Sequence, residues 1–426
     1  EGALSLRAEW ESAARIRSGR PQFDRAAFAG TPLSALLAEH ARARLVPWLE
    51  VRVRREAREV EFDGARIEVA LDLGTLAAEG REAEVRELEL EAHSGPARAL
   101  IALAAQLAAP GGRARPLALL LLAESKAQRG ARLRSQQPPA PVAASAAGVR
   151  GVLATGDSAD AALRGVAGRA TQILAANLQA TLGGDDPETV HQARVALRRL
   201  RSAVRLLDRK ARFPAPLSDE LRWLGTELGR ARDAEVLAER CARAWSAQTG
   251  TVATVDSVRW IERLVARARE ARVRLRAQLD SARVAGLLLG LLAWSEAEPH
   301  GRTGLRRVAT RRLDRLLERV ARATADWSRA STTQRHRVRI LVKRLRYGVE
   351  LAVPGDDARE WRGVLRTLQE ELGEFNDALV ARATLRRLHV PEALIERVAP
   401  AADERVRIER AGGGLVQLLA LPPPWR

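Results

Sequence analysis

Apolar and polar residues alternate with period two along Val51–Val60, Ala65–Leu71 and Val85–Ala92, the last reading V-R-E-L-E-L-E-A. That period predicts half-buried strands, and Asp63-Gly64 between the first two is a hairpin turn signal. After Ser94 the period lengthens, and Ala97–Ala109 predicts a helix ended by Pro110-Gly111-Gly112. A short apolar run, Leu117–Ala123, leads into Glu124-Ser125-Lys126. From Ser135-Gln136-Gln137-Pro138-Pro139-Ala140-Pro141 to Gly148 the apolar period is lost and proline and small residues dominate, the composition of a linker. Beyond it the pattern is helical to about residue 420, with no strand signal. The expected fold class is α+β: an antiparallel β domain over 1–131, a linker over 132–149 and an all-α domain over 150–426.

The helical part repeats itself. His191-Gln-Ala-Arg194-Val-Ala-Leu-Arg198-Arg199-Leu-Arg201 matches His336-Arg-Val-Arg339-Ile-Leu-Val-Lys343-Arg344-Leu-Arg346. Further on, Leu228-Gly229-Arg-Ala-Arg232-Asp233 matches Leu372-Gly373-Glu-Phe-Asn376-Asp377. The offset is 145 residues at the histidines (191 to 336) and 144 at the aspartates (233 to 377). Two matches at nearly one offset imply a duplicated unit, about 150–296 and about 297–420, built as helix bundles around a pseudo-twofold axis.

Charge narrows the function. The 426 residues carry 71 Lys+Arg against 53 Asp+Glu, a net +18, and only Lys126, Lys210 and Lys343 are lysine. Residues 1–150 hold 22 basic and 19 acidic residues, net +3; residues 151–426 hold 49 and 34, net +15. A polyanionic partner is expected, held by the helical part. Leu117–Leu122 and Leu287–Leu292 fall far short of the roughly 20 apolar residues a membrane span needs. The single cysteine, Cys241, excludes a disulfide framework and a Cys-based zinc site. No basic-then-apolar leader, Walker-type loop or nucleophile elbow is present, and the expectation is a soluble cytoplasmic protein.

Asp186, Pro187 and Glu188 form a helix-start signal. On the helix they open, His191, Arg194, Arg198, Arg201 and Arg205 fall on one face, and Leu197, Leu200, Val204 and Leu207 on another. His336, Arg339, Lys343 and Arg346 repeat the basic row, which Glu350 interrupts at the fifth step. A row of like charges repels itself, yet guanidinium forks match phosphate oxygens bidentately. The two histidines either hydrogen-bond a neighbour at the helix start or contact the anion. Glu87, Glu89 and Glu91 share one strand face, either solvated or gathered for a divalent cation. The nine tryptophans are scattered and read as core; Gly412-Gly413-Gly414 reads as a turn or hinge.

The motifs H-x-x-R-V-x-x-R-R-L-R with L-G-x-x-R-D, and H-x-x-R-I-x-x-K-R-L-R-Y with L-G-x-x-N-D, resemble the two halves of a CHAD domain over roughly 150–420. The resemblance implies an all-helical twofold fold whose basic surface binds inorganic polyphosphate without a required cofactor. It implies phosphate contact by His191, Arg194, Arg198, Arg201, His336, Arg339, Lys343 and Arg346, with Arg199, Arg344 and Tyr347 also in the motif. Asp233 and Asp377 are expected to pair with arginines and hold the helices together. The strand Glu87-Leu-Glu89-Leu-Glu91, with Ile67-Glu-Val-Ala-Leu-Asp72-x-Gly74 and Ser125-Lys126-Ala-Gln-Arg129-Gly130, resembles the CYTH fold, an antiparallel β tunnel of metal-dependent triphosphatases and cyclases. That likeness implies Mg²⁺ at Glu87 and Glu89, and phosphate or triphosphate contact by Arg7, Arg55, Lys126 and Arg129. The Glu-x-Glu-x-Lys first strand of that fold is absent, so only a partial tunnel is expected. The function expected is polyphosphate binding, with association with polyphosphate granules a family-level implication. The alternatives are a Mg²⁺-dependent triphosphate or polyphosphate hydrolase and a nucleic-acid binder; the latter is disfavoured because only Tyr347 lies near the basic rows.

Overall fold

The structure, a computed structural model, describes residues 15–17, 20–22, 24–40, 46–109, 117–145, 158–246, 255–353 and 356–426. Arg7 lies outside them, as do Pro110-Gly111-Gly112 and residues 146–149 of the expected linker. Contacts divide the chain into two compact units. One holds the described residues up to Glu56, Ala70–Glu89 and Ala123–Gln137; the other holds Ala57–Val69, Leu90–Leu122 and Pro138–Arg426.

In chain order the first elements are β1 (Arg15–Arg17), β2 (Arg20–Gln22), α1 (Leu33–Glu39), β3 (Glu50–Phe62), β4 (Ala65–Ala78), β5 (Arg81–Ser94), α2 (Arg98–Ala108) and α3 (Lys126–Ser135). β1 and β2 form an antiparallel ladder, and β3, β4 and β5 a sheet in that order. The hairpin turns are Asp63-Gly64, at φ 46° and 73°, and Glu79-Gly80, at 48° and 75°. Positive φ at both turn residues gives the twist that two antiparallel strands need. β4 runs past the expected Leu71 through Gly74, where a Cβ would lie 2.0 Å from the Arg52 carbonyl oxygen; only glycine permits that approach. Among the described residues the sheet has three strands with β3 and β5 at its edges, so the expected tunnel is not closed by them. In the second unit, Ile67 and Ala65 of the sheet pack with Ala99 and Leu103 of α2.

The helical part consists of α4 (Ala159–Gly183), α5 (Pro187–Ala211), α6 (Ala215–Ser246), α7 (Val255–Leu279), α8 (Ala282–Glu296), α9 (Leu305–Ala323), α10 (Thr332–Ala352), α11 (Arg359–Arg387), α12 (Glu392–Val398) and α13 (Ala401–Ala420). The two repeats pack alike: α4 on α5 as α9 on α10, and α5 on α6 as α10 on α11. They meet where α5 touches α9 and α10. One apolar core runs through both, with Leu163, Leu174, Leu200, Leu224, Leu288, Leu313, Leu345 and Leu365 fully buried. A second cluster joins α6 and α7 to α11 and α12 around Cys241 and Trp245. Cys241 is buried, which pushes its thiol up to about 12.

Residues 138–145, a linker by composition, lie against the bundle. Val142 N–H donates to Asn177 Oδ1 at 3.1 Å, Asn177 Nδ2 donates back to the Val142 carbonyl at 2.8 Å, and Ala144 N–H donates to Gln192 at 2.8 Å. These side chains satisfy the extended backbone, which composition does not foretell. Gly412-Gly413-Gly414 is not a hinge but lies within α13. A Cβ on Gly412 would sit 2.9 Å from Trp327 and one on Gly414 2.8 Å from Leu368, so these glycines serve close packing. Trp245, Trp361 and Trp425 are buried as expected of core residues.

Candidate anion-binding site

α5 begins as its sequence demands: Asp186 Oδ1 accepts from Glu188 N–H at 2.8 Å, and Pro187 is the first helical residue. α10 begins with a capping box, in which Gln334 N–H donates to Ser331 Oγ at 3.3 Å and Ser331 N–H to Gln334 Oε1 at 2.6 Å. With both helices anchored and packed together, the basic rows converge. Arg198 acts electrostatically on His191 and Arg194 of its own helix, and on Arg339 and Lys343 of α10.

Two carboxylates flank this cluster. Arg194 pairs with Asp233 of α6 at 3.3 Å and donates to the Leu228 carbonyl at 3.3 Å. Arg339 pairs with Asp377 of α11 at 3.7 Å. The L-G-x-x-[RN]-D motifs thus place their aspartates against the arginines of the H-x-x-R motifs, as the sequence suggested. Gly229 of the first motif gives Arg194 its place, since a Cβ there would lie 3.0 Å from Nη1, and Gly225 does the same for Arg201 at 3.1 Å.

The remaining charge is uncompensated. Lys343 makes no ion pair or hydrogen bond among the described residues, and burial first, then Arg339 and Arg198, push its pKa down to about 7. Burial likewise holds Arg194 and Arg339 below the usual guanidinium value, with their aspartates opposing and Arg198 reinforcing the shift. His191 is lowered by burial, with Arg232, Arg198 and Arg194 adding to it against Glu188. His336 Nδ1 lies 2.8 Å from Asn376 Oδ1, a helix-tethering bond of the kind its position allowed. Half-buried cations with few carboxylates are a standing demand for an external anion, and guanidinium forks suit tetrahedral oxyanions.

Three other residues of the motif are placed differently. Arg199 donates to the Ala144 carbonyl at 2.9 Å and to Glu350 at 2.5 Å, and Arg346 approaches Glu350 at 3.4 Å. Tyr347 is buried between Arg199 and Arg346, whose guanidiniums stand 5.4 and 5.2 Å from its ring, and its hydroxyl accepts from Arg198 at 3.4 Å. Tyr347 is only 5% exposed, and the Arg199 side chain is closed in by the Ala144 carbonyl and Glu350. Glu350 and Arg232 are the residues sequence reasoning missed. Glu350 looked like an interruption of the basic row because its partner lies in the other repeat.

The N-terminal candidates form a separate cluster within their own unit. Lys126 of α3 meets Asp72 at 2.9 Å, Glu87 at 2.8 Å, and Glu89. Arg55 bridges Asp72 at 2.7 Å and Glu89 at 2.6 Å, and Arg129 lies 2.6 Å from Glu87. Asp72 is fully buried, and its bond to Arg55, outweighing burial, lowers it to about 2. Burial alone would lower Lys126, but its bonds to Glu87, Glu89 and Asp72 raise it. Among the described residues no group of three or more His, Cys, Asp or Glu is free to serve as a metal site.

The CHAD-domain profile matches residues 165–386, more than half of the chain and the whole of both basic rows. The chain belongs to the CHAD-domain family. Its CHAD bundle is similar to the crystal structure of the CHAD domain from the plant Ricinus communis, with a TM-score of 0.50 and 29% identity over 67% of this chain and 93% of that one. A second similar structure is PptA from Streptomyces chartreusis, with a TM-score of 0.46 and 19% identity over 61% of this chain and 98% of that one. No curated protein matches the chain. No helix of the described CHAD bundle is long and apolar enough to cross a membrane.

Proposed function

We propose that this CHAD bundle binds inorganic polyphosphate across the junction of α5 and α10. The observation that carries the reading is the convergence of Arg194 and Arg198 from one repeat with Arg339 and Lys343 from the other, flanked by Asp233 and Asp377. A chain of phosphates supplies one negative charge after another at fixed intervals, which suits a row of forks drawn from two helices. His191 adjoins Arg194 and Arg198, whereas Arg201 has Arg205 and Arg222 as its charged neighbours and Arg346 is engaged by Glu350. Nucleic acid fits less well, because Tyr347 is buried under two guanidiniums and offers no face for a base.

The test is a binding titration of wild type and Arg198→Ala/Lys343→Ala with long-chain polyphosphate, tripolyphosphate and single-stranded DNA. Neither residue makes an ion pair among the described residues, so the one bond between the helices given up is that of Arg198 to the Tyr347 hydroxyl. Polyphosphate affinity is expected to fall by about 100-fold, from two charge-assisted contacts at roughly 1.4 kcal/mol each. Equal binding of DNA and polyphosphate, both insensitive to the substitution, would sink the reading.

A second reading, Mg²⁺-dependent hydrolysis of triphosphate or polyphosphate, is favoured by the assembly of Arg55, Asp72, Glu87, Glu89, Lys126 and Arg129 in one cluster. Carboxylate oxygens are the donors Mg²⁺ prefers, and Glu87 and Glu89 would hold it. Bound there, the ion would polarise a phosphoryl oxygen. Lys126 and Arg55 would hold phosphate oxygens once released from the carboxylates that now satisfy them. Phosphate release with and without Mg²⁺ in the same titration decides this reading.

A further inference from the structure

The two basic helices correspond residue by residue, but their two sides are not alike. Arg199 of α5 corresponds to Arg344 of α10, and Arg205 to Glu350, each at the offset of 145. On one side Arg199 meets Glu350 at 2.5 Å, both side chains only 12% exposed. On the other side the same two positions hold Arg344 and Arg205, and among the described residues no carboxylate pairs with either. Arg344 has Arg205 and, from α9, Arg319 as its charged neighbours, and its Nε is buried without a hydrogen-bond partner. Among the described residues none of these three arginines makes an ion pair. The cluster lacks the anion that its mirror image contains.

α9 continues the pattern. It carries seven arginines against Asp314 and Glu318, and Asp314 is taken by Trp425 and Arg426. Arg307, Arg311, Arg315 and Arg319 recur every fourth residue, exposed and without ion pairs among the described residues. Twelve residues of helix at 1.5 Å each make this row about 18 Å long, and its members repel one another. The corresponding helix of the first repeat, α4, has only Arg164 and Arg169. At the position that answers Arg319 it has Leu174, which is fully buried. The excess of cations is therefore one-sided.

Resting on the polyphosphate reading, we propose that the site extends in one direction only, onto α9. Phosphate oxygens take the place at Arg205, Arg344 and Arg319 that the Glu350 carboxylate holds opposite Arg199. Arg315, Arg311 and Arg307 hold the phosphates that follow. The bound chain leaves the junction over α9 and not past Glu350, and the length of polyphosphate that binds best is set by this row. No aromatic side chain interrupts the row, so it suits a bare phosphate chain and not stacked bases.

The test compares wild type with Arg311→Glu/Arg315→Glu, using tripolyphosphate and long-chain polyphosphate as ligands at two salt concentrations. A control, Arg259→Glu/Arg267→Glu, reverses the same charge at exposed positions of α7. In the α9 variant, long-chain affinity is expected to fall about tenfold or more and its salt dependence to flatten, while tripolyphosphate affinity stays within about twofold. Unchanged tripolyphosphate binding also certifies that the variant folds. Long-chain affinity that is unchanged, that falls equally in the α7 control, or that falls in parallel with tripolyphosphate affinity overturns the α9 track and leaves polyphosphate binding standing. A wild type that binds neither ligand overturns both.

Discussion

Lys343 stands in the second repeat where Arg198 stands in the first, and an ammonium can give up its proton where a guanidinium cannot. Burial first, then Arg339 and Arg198, with Arg194 adding and Asp377 opposing, bring its pKa down to about 7. Below that value the site gains a charge, and above it the charge is lost. A polyanion binds the protonated form more tightly, so affinity is expected to fall about three- to tenfold as pH rises from about 6 to about 8. Lys343→Arg should flatten the profile. His191 does not supply the same dependence, because burial and the neighbouring arginines lower it below its ordinary 6.5 and leave it neutral through most of that window. An unchanged profile in the variant would assign the proton elsewhere. The sequence already set this lysine apart, as one of three surviving in an arginine-rich chain, but its depressed pKa depends first on burial in the folded bundle and then on Arg339 of its own helix and Arg198 of the other repeat.

At the level of elements, α5 and α10 are held by unlike means on their two sides. Arg199 and Glu350 cross from one repeat to the other at 2.5 Å, with Arg346 on the same carboxylate at 3.4 Å. Glu350→Ala leaves two mostly buried guanidiniums uncompensated, and denaturant unfolding should show a loss of about 3 kcal/mol. Polyphosphate should recover more stability in that variant than in wild type, because it supplies the missing anion. The basic rows, the apolar stripes and the start of α5 were all legible, since each is a matter of spacing along a single helix. Glu350 was not, because its meaning lies 151 residues away in Arg199. The same holds for Gly225 and Gly229, whose missing side chains matter only because two guanidiniums lie over them.

On the scale of the whole molecule, the composition break near residue 150 does not coincide with the packing. The unit that contains the bundle also takes in Ala57–Val69 and Leu90–Leu122, and Ala108 at the end of α2 packs with Ala285 and Leu289 of α8. A chain trimmed to residues 138–426 uncovers that apolar patch of α8. It should melt several degrees lower than the full chain while keeping polyphosphate affinity within about twofold, since none of the basic rows is touched. An equal melting temperature would show that α2 adds nothing to the bundle. Strand and helix types were readable along the chain, the hairpin at Asp63-Gly64 included. The inclusion of parts of the first domain in the second unit was not, because a short apolar helix such as α2 does not encode what it packs against.

The scarcity of lysine has one more consequence. Lys126 is locked under three carboxylates and stays protonated, whereas Lys343, crowded by guanidiniums, is partly a free amine near neutrality. A free amine is a nucleophile, so an acylating reagent at neutral pH finds in this arginine-lined cluster one side chain poised to react. Acylation there removes the charge for good, and a bound polyanion, by restoring the proton and covering the nitrogen, protects it. The residue that makes the site sensitive to protons also gives it a built-in covalent reporter of occupancy.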